Sequence, residues 1–285
     1  MLEFNDEVLR LILDYVKDVE TEIRKISVNI EPEYVKMLVF DIENYIKFFG
    51  VKEAKKRGST KVEDFDAIKV LKKFGKPQKF VKSQFRNAEA CLNSQKIALG
   101  NLKAMDERLK EIEAPKVFDA GCGWGRVSKK LQDHTHVKDL EIIGTDLNKL
   151  SLQYGKTVNK DAVFFRSDIQ ALPFKNQVFD IILSSGVIHE VKSMKGRSKA
   201  IKEFSRILKP NGVLYIIDAF TESRVISAFT FIMQHIIHKV EWIPKKESIE
   251  KMLIEAKLKA IQVEKGSFHL LGMVSSYTIV AIKEP

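Results

Sequence analysis

Three glycines alternate with other residues at positions 121, 123 and 125, just after a short apolar run that contains Asp119. A strand, a tight turn and a helix start give this pattern, because glycine lets a backbone approach a nucleotide-like ligand closely. The spacing differs from the G-x-G-x-x-G of loops that hold a pyrophosphate on a helix N-terminus. A carboxylate beside the turn would repel a pyrophosphate, but it suits a ligand that carries an amine and a sulfonium.

Four further apolar runs follow, at residues 140–146, 162–168, 178–184 and 212–218. The first ends at Asp146, about twenty residues past the last glycine. That spacing puts a carboxylate at the end of the next strand, where it can accept hydrogen bonds from both hydroxyls of a ribose. The second run ends at Asp168, and the last ends at Asp218.

The whole set resembles the class I S-adenosylmethionine (SAM)-dependent methyltransferases, and within them the small-molecule branch that includes the ubiquinone and menaquinone methyltransferases. The resemblance covers about residues 112–285 and rests on these segments: 119–125, Asp146, 167–174, 179–189 and 206–212. In the last segment Asn211 stands where the family has a glycine. Asparagine tolerates left-handed backbone better than other non-glycine residues, so the change is mild.

The resemblance implies SAM as the cofactor and assigns its contacts. The implied cofactor-binding residues are Asp119, Gly121, Gly123, Gly125, Asp146, Leu147, Asp168, Ile169 and Ser184. Asp119 would lie near the methionine amine and Asp146 at the ribose. Leu147 would flank the adenine and Asp168 would accept from its amino group, while Ser184 would line the floor near the methyl group.

The resemblance also implies an α/β fold, a Rossmann-like seven-stranded methyltransferase sheet with helices on both faces. The last two strands, near 261–268 and 275–282, would form an antiparallel hairpin. Residues 1–111 show helical spacing of apolar positions and predict an all-helical region that caps the domain, dimerises or encloses substrate. Residues 112–285 would form the methyltransferase domain, with an apolar lid insertion at about 220–243.

Two side chains after the fourth run could move a proton, His189 and Glu190. Residues 184–187 lack the Pro-Pro turn of related enzymes that methylate exocyclic amines of bases, and neither cysteine fits a cytosine C5 nucleophile. Oxygen or carbon of a small, partly apolar acceptor remains, with His189 as general base and Glu190 beside it. A packing role for His189 stays open. His235 and His238 have no third ligand in view, so we expect no metal site.

Composition limits the cellular setting. The 285 residues are 45% hydrophobic and 30% charged, which allows a core and an ordinary soluble surface. Two cysteines do not support a disulfide framework, so we expect a reducing cytoplasm. The start of the chain lacks the pattern of a signal peptide, and no apolar run approaches the roughly 18 residues of a membrane span.

The net charge of +10 is unevenly distributed. Residues 1–46 carry a net −6 and residues 47–86 a net +9. The two blocks could pair within the chain, or the basic block could dock an anionic lipid surface or RNA. The first alternative function is therefore an RNA or protein methyltransferase that docks its substrate on residues 47–86, and the second is a non-catalytic SAM-binding regulatory protein.

Overall fold

The computed structural model describes residues 3–26, 32–84, 100–228, 243–269 and 274–285. Its helices are α1 (Asp6–Ile26), α2 (Pro32–Lys56), α3 (Asp64–Phe74), α4 (Pro77–Gln84), α5 (100–110), α6 (Arg126–His134), α7 (Lys149–Val158), α8 (Met194–Ile207), α9 (224–228) and α10 (Lys246–Glu255). Its strands are β1 (Glu3–Phe4), β2 (Lys61–Val62), β3 (Lys116–Ala120), β4 (Glu141–Asp146), β5 (Val163–Arg166), β6 (Phe179–Ser185), β7 (Leu208–Phe220), β8 (Leu258–His269) and β9 (Val274–Lys283).

The central sheet has seven strands in the order β5-β4-β3-β6-β7-β9-β8. The first five are mutually parallel, and β9 runs antiparallel to both β7 and β8. The predicted α/β sheet with a closing antiparallel hairpin is therefore confirmed. In such a sheet, ligands bind outside the carboxyl ends of the strands, where the strand order reverses. Here the reversal lies between β3 and β6.

Each face of the sheet is covered by helices, because successive strand residues point to opposite sides. On β3, Val117 belongs to the core that the sheet shares with α5, α6 and α7. The next residue, Phe118, belongs to the core on the other face, which includes α8 and α10. Both side chains have no solvent exposure. Helix α5 thus packs on the sheet, although the proposed boundary at residue 111 would group it with the N-terminal region; that boundary remains a prediction.

The N-terminal helices α1 to α4 supply most of a third core, and the predicted N-terminal helical region is confirmed. It also contains one element that we did not predict, a parallel pairing of the two-residue strands β1 and β2. Helix α3 ends at Phe74, and Gly75 follows it with a φ of 77°. This third core includes Trp124 and Tyr154, so it continues into the glycine turn and α7.

The prediction for the fifth strand was too short at its start. It began at Gly212, but β7 starts at Leu208 and pairs there with Phe179. The register then shifts before Ile181 pairs with Val213, so the Lys-Pro-Asn-Gly segment forms an irregularity within the strand. Asn211 has a φ of 60°, as expected for a residue in a glycine position. Most of the predicted lid, residues 229–242, lies outside the described residues.

Candidate functional site

The carboxyl ends of β3, β4, β5 and β6 meet at one edge of the sheet beside a cleft of about 340 Å³. Six residues that the sequence singled out line this cleft: Gly121, Asp146, Leu147, Asp168, Ile169 and Glu190. The other predicted site residues, Asp119, Gly123, Gly125, Ser184 and His189, are not among its lining residues. The structure therefore places some of the predicted site residues in the lining of the cleft and the others outside that lining.

The glycine turn has left-handed backbone at all three glycines, with φ of 67° at Gly121, 56° at Gly123 and 79° at Gly125. The reason for glycine differs among them. A Cβ on Gly121 would lie 2.4 Å from the Val187 side chain, and one on Gly125 would lie 2.5 Å from the Phe164 ring. At Gly123 a Cβ would meet no protein atom within 4 Å. Close protein packing therefore explains two of the glycines, and only Gly123 faces open space that a ligand could occupy.

Asp119 is buried and accepts a hydrogen bond from Ser128 Oγ at 2.6 Å. Burial raises the pKa of this carboxyl to about 6. Its contact with a methionine amine stays a prediction.

Asp146 shapes the glycine turn from the neighbouring strand. Its two oxygens accept backbone N–H groups, Oδ2 from Gly123 at 2.9 Å and Oδ1 from Asn148 at 2.7 Å. A carboxylate oxygen has two lone pairs, so each oxygen keeps capacity for one more donor. Asn148 in turn caps α7 by accepting from the N–H groups of Leu150 and Ser151. Asp146 is thus held in place by the protein and still able to accept hydroxyl donors from the cleft.

The cleft has apolar surfaces beside its carboxylates. Leu147 is 58% exposed and lines the cleft, and Ile169 is 7% exposed and lines the same cleft. Asp168 accepts from the backbone and side-chain amides of Gln170 at 2.9 and 3.2 Å. A flat apolar ring with an amino group at its edge would fit between these side chains.

Ser184 lies in β6 opposite Ala120 of β3. It is 1% exposed, and its Oγ has no hydrogen-bond partner among the described residues. A buried hydroxyl without a partner is costly, which is consistent with a donor or acceptor arriving with a ligand. This orphaned atom, the open face of Gly123 and the carboxylates of the cleft are compatible with a ligand that has hydroxyls, a flat ring and a polar tail.

His189 follows β6, and its Nδ1 contacts the Asp218 carboxylate at the end of β7. The Asp218 side chain is fully buried, and that of His189 is 14% exposed. Glu190 is exposed and lines the cleft. We had noted Asp218 only as the end of an apolar run. Its position after a parallel strand could have indicated that it reaches the same sheet edge.

Arg197 is a second residue that we did not single out. It has no solvent exposure and donates to the carbonyl oxygens of Ile188, His189 and Val191 at 2.8–3.0 Å. No local pattern distinguishes it from the other basic residues of α8, because its partners lie in the loop before the helix.

The N-terminal helices contact the glycine turn directly. The centroid of the Trp124 ring lies 6.1 Å from that of Phe40 and 6.2 Å from that of Tyr45, both on α2. It also lies 6.1 Å from the ring centroid of Tyr154 on α7. On the same side, Asp41 of α2 binds Lys130 Nζ at 2.7 Å and Arg126 at 3.3 Å, both on α6. The start of α6 and the turn before it are therefore packed against α2.

Part of the basic 47–86 segment is neutralised within the chain. Glu53 lies within 3.0 Å of the ammonium groups of Lys56, Lys69 and Lys73. Arg57 binds Asp66 at 2.6 Å. Several other lysines of this segment are exposed, among them Lys52, Lys55, Lys72 and Lys79.

The described residues also bear on metal binding and on membrane spanning. No group of three histidine, cysteine or carboxylate side chains there could hold a metal ion. No helix within the described ranges is both long enough and apolar enough to cross a membrane.

Comparison with known proteins adds to this geometry. Residues 118–216 match the family described as "Methyltransferase domain". A demethylmenaquinone methyltransferase from Chlorobaculum parvum is 24% identical over an alignment of 197 positions, which covers 61% of this chain and 77% of that protein. A probable tRNA methyltransferase 9B from Mus musculus is 37% identical over 101 residues, 35% of this chain and 21% of that protein. The alignment with this tRNA methyltransferase, like that with an arginine-hydroxylase from Danio rerio, spans less than a third of the relative's own length.

A solved structure shares the fold at lower sequence identity. A SAM-dependent methyltransferase from Methanosarcina mazei superposes with a TM-score of 0.51 and 18% identity, over 61% of this chain and 94% of that one. At this identity the likeness concerns the fold alone.

Proposed function

We propose, from the premise that this chain contains a class I SAM-dependent methyltransferase domain, that it transfers a methyl group to oxygen or carbon of a small, partly apolar acceptor. The cofactor of this domain is SAM. The observation that carries the proposal is the His189–Asp218 pair, which lies at the carboxyl edge of the sheet next to the cleft lined by Asp146 and Asp168.

In this proposal the cleft holds the nucleoside part of SAM. Asp146 accepts from the ribose hydroxyls, Leu147 and Ile169 flank the adenine, and Asp168 accepts from its amino group. The glycine turn carries the methionine part, with Asp119 on the side of the amine and Ser184 beneath. SAM, when bound, supplies an activated methyl group.

The protein positions the acceptor and removes its proton. His189 takes a proton from the O–H or C–H group that becomes methylated, since a histidine has the right ordinary pKa for a general base near neutral pH. Glu190 lies at the cleft beside it.

The choice of a small acceptor rests on two observations. The demethylmenaquinone methyltransferase aligns over most of its own length, whereas the tRNA methyltransferase aligns over a fifth of its length. Glu53 and Asp66 also draw four of the basic side chains of residues 47–86 into internal ion pairs.

One observation favours a second candidate, an RNA or protein methyltransferase. The exposed lysines that remain on residues 47–86 form a surface that could dock a polyanion. A non-catalytic SAM-binding protein is the third candidate, and it predicts binding without turnover.

The proposal is tested with purified protein, SAM and fractions of a cell extract, by measuring S-adenosylhomocysteine formation. We expect turnover with the organic-soluble or small aqueous fraction, and no turnover when the His189→Gln variant replaces the wild type. Turnover only with the RNA or protein fraction would favour the second candidate. SAM binding without turnover in any fraction would favour the third.

A further inference from the structure

We infer that Asp218 is a positioning residue that fixes both the loop carrying His189 and the tautomer of the His189 ring. The inference deepens the proposed function, because it says which ring nitrogen acts as the base. It rests on the contacts of one buried carboxylate and one buried guanidinium, which hold the loop after β6 from two sides.

The carboxylate first holds the backbone of the loop. Asp218 Oδ2 accepts the N–H groups of three consecutive residues, Val187 at 3.1 Å, Ile188 at 2.7 Å and His189 at 3.2 Å. Because three N–H groups point at this one oxygen, Oδ2 acts as an acceptor and carries no hydrogen of its own. The loop therefore turns around Asp218, and its direction depends on a residue that lies 29 positions beyond His189 along the chain.

The second oxygen of Asp218 determines the histidine tautomer. Oδ1 accepts the backbone N–H of Ala219 at 2.7 Å, and it also contacts His189 Nδ1. An ionised carboxylate offers no hydrogen, so the hydrogen of this contact must sit on Nδ1. In the neutral ring Nε2 then carries the lone pair, and Nε2 is the nitrogen that can take a proton.

The guanidinium of Arg197 holds the other side of the same peptide groups. Its Nε donates to the carbonyl oxygens of Ile188 at 3.0 Å and Val191 at 2.8 Å, and its second terminal nitrogen donates to His189 at 2.8 Å. Burial lowers the pKa of Arg197 to about 10, and the charge of Asp218 offsets part of this effect. The two opposite charges thus compensate each other across the loop.

A purely structural role for Asp218 makes a different prediction. If Asp218 only supports the backbone, any residue that accepts the three N–H groups should preserve the site. Asparagine in its place can still accept the three N–H groups through its oxygen. Its amide nitrogen then faces His189 Nδ1 and donates to it, at the cost of the acceptor of the Ala219 N–H. The Asp218→Asn variant should therefore keep the loop and invert the tautomer, so that the hydrogen moves to Nε2.

The deciding experiment is ¹⁵N NMR of the histidine side chains in the full chain at about pH 8, above the ordinary histidine pKa of about 6.5. The His189→Gln variant assigns the resonances. We expect hydrogen on Nδ1 in the wild type, hydrogen on Nε2 in Asp218→Asn, and no change in the control Asp161→Asn, whose exposed carboxylate lies far along the chain. Hydrogen on Nε2 in the wild type would overturn the inference without any variant, even if Asp218→Asn failed to fold.

Kinetics connect the tautomer to the reaction. We expect Asp218→Asn to lower kcat by about 100-fold or more, the scale of general acid–base catalysis, while the Kd for SAM changes less than about threefold. An inverted tautomer with unchanged kcat would overturn the positioning role. Absence of turnover in the wild type with every extract fraction would instead count against the proposed function, and the NMR result would still decide the tautomer.

Discussion

Gly123 differs from Gly121 and Gly125 because a Cβ added to it would meet no protein atom within 4 Å. We predict that Gly123→Ala weakens SAM binding by more than it lowers stability, since the added methyl enters the open space that the cofactor would occupy. The left-handed backbone itself should cost roughly 1–2 kcal/mol. The measurements are SAM titration calorimetry and urea unfolding.

Gly58→Ala is a matched control for this prediction. Gly58 has a φ of 79° and open space around its Cβ position, but it lies in the N-terminal region. It should lose similar stability and no SAM affinity. Equal SAM affinity in Gly123→Ala and the wild type would remove Gly123 from the cofactor site.

Asp146 tests the ribose assignment. We predict that Asp146→Ala weakens SAM binding by roughly 1–3 kcal/mol, the scale for losing hydrogen bonds to a charged group. Part of the loss would come from the turn, because Gly123 N–H also loses its acceptor. Calorimetric titration with SAM measures it, with Asp133→Ala on the exposed end of α6 as control. Unchanged affinity would contradict the assignment.

The buried Asp119 carboxyl predicts a pH dependence of stability. Its pKa of about 6 in the folded protein lies above the value of about 3.9 in an unfolded chain, so the folded state holds a proton that the unfolded state has lost between these pH values. The free energy of unfolding should then fall as pH rises from about 4 to 6. The expected contribution is about 3 kcal/mol.

Urea unfolding of the wild type and of Asp119→Asn between pH 4 and pH 7 isolates this contribution. Other groups titrate equally in both proteins, so the difference between the two curves reports Asp119. The wild type should lose stability relative to the variant as pH rises. Two parallel curves would show that the carboxyl does not change its protonation in this range.

At the scale of elements, the docking of α2 on the glycine turn suggests that the N-terminal helices support the cofactor site. Asp41 is the side chain to change, because it is nearly buried and holds two cations of α6. We predict that Asp41→Asn lowers stability by about 1–3 kcal/mol and also weakens SAM binding. Asp14→Asn, on the exposed face of α1, is the control. Normal SAM affinity in a destabilised Asp41→Asn protein would separate the two regions functionally.

The elements that could be predicted from the sequence are those set by local pattern. The glycine turn after β3 and the acid at the end of β4 were recognisable because their spacing follows from one strand–turn–helix unit. The contacts of His189 were not, since Asp218 lies on another strand and Arg197 on a helix whose polar residues look alike. The sequence around Trp124 likewise does not indicate that its ring packs into the third core, with the N-terminal helices. The start of β7 was missed because Pro210 and Gly212 indicate a turn, and only the pairing partners show that the strand continues.

For the whole molecule, the balance of charge distinguishes the candidate substrates. A small acceptor does not exchange condensed counterions, so we predict that the rate of methyl transfer changes less than about threefold between 50 and 200 mM salt. A substrate held by 6–10 phosphate contacts would lose roughly 10³–10⁵ in affinity over that range. Steady-state rates at subsaturating acceptor measure this. A steep loss would identify the exposed lysines of residues 47–86 as a docking surface.

The most direct test of the central claim is transfer of labelled methyl from SAM into an extract of the cells that make the protein. The extract is then separated into organic-soluble, small aqueous, RNA and protein fractions. We expect the label in the organic-soluble or small aqueous fraction, and less of it when Asp146→Ala replaces the wild type at subsaturating SAM. Label that accumulates in RNA or in protein would contradict a small acceptor.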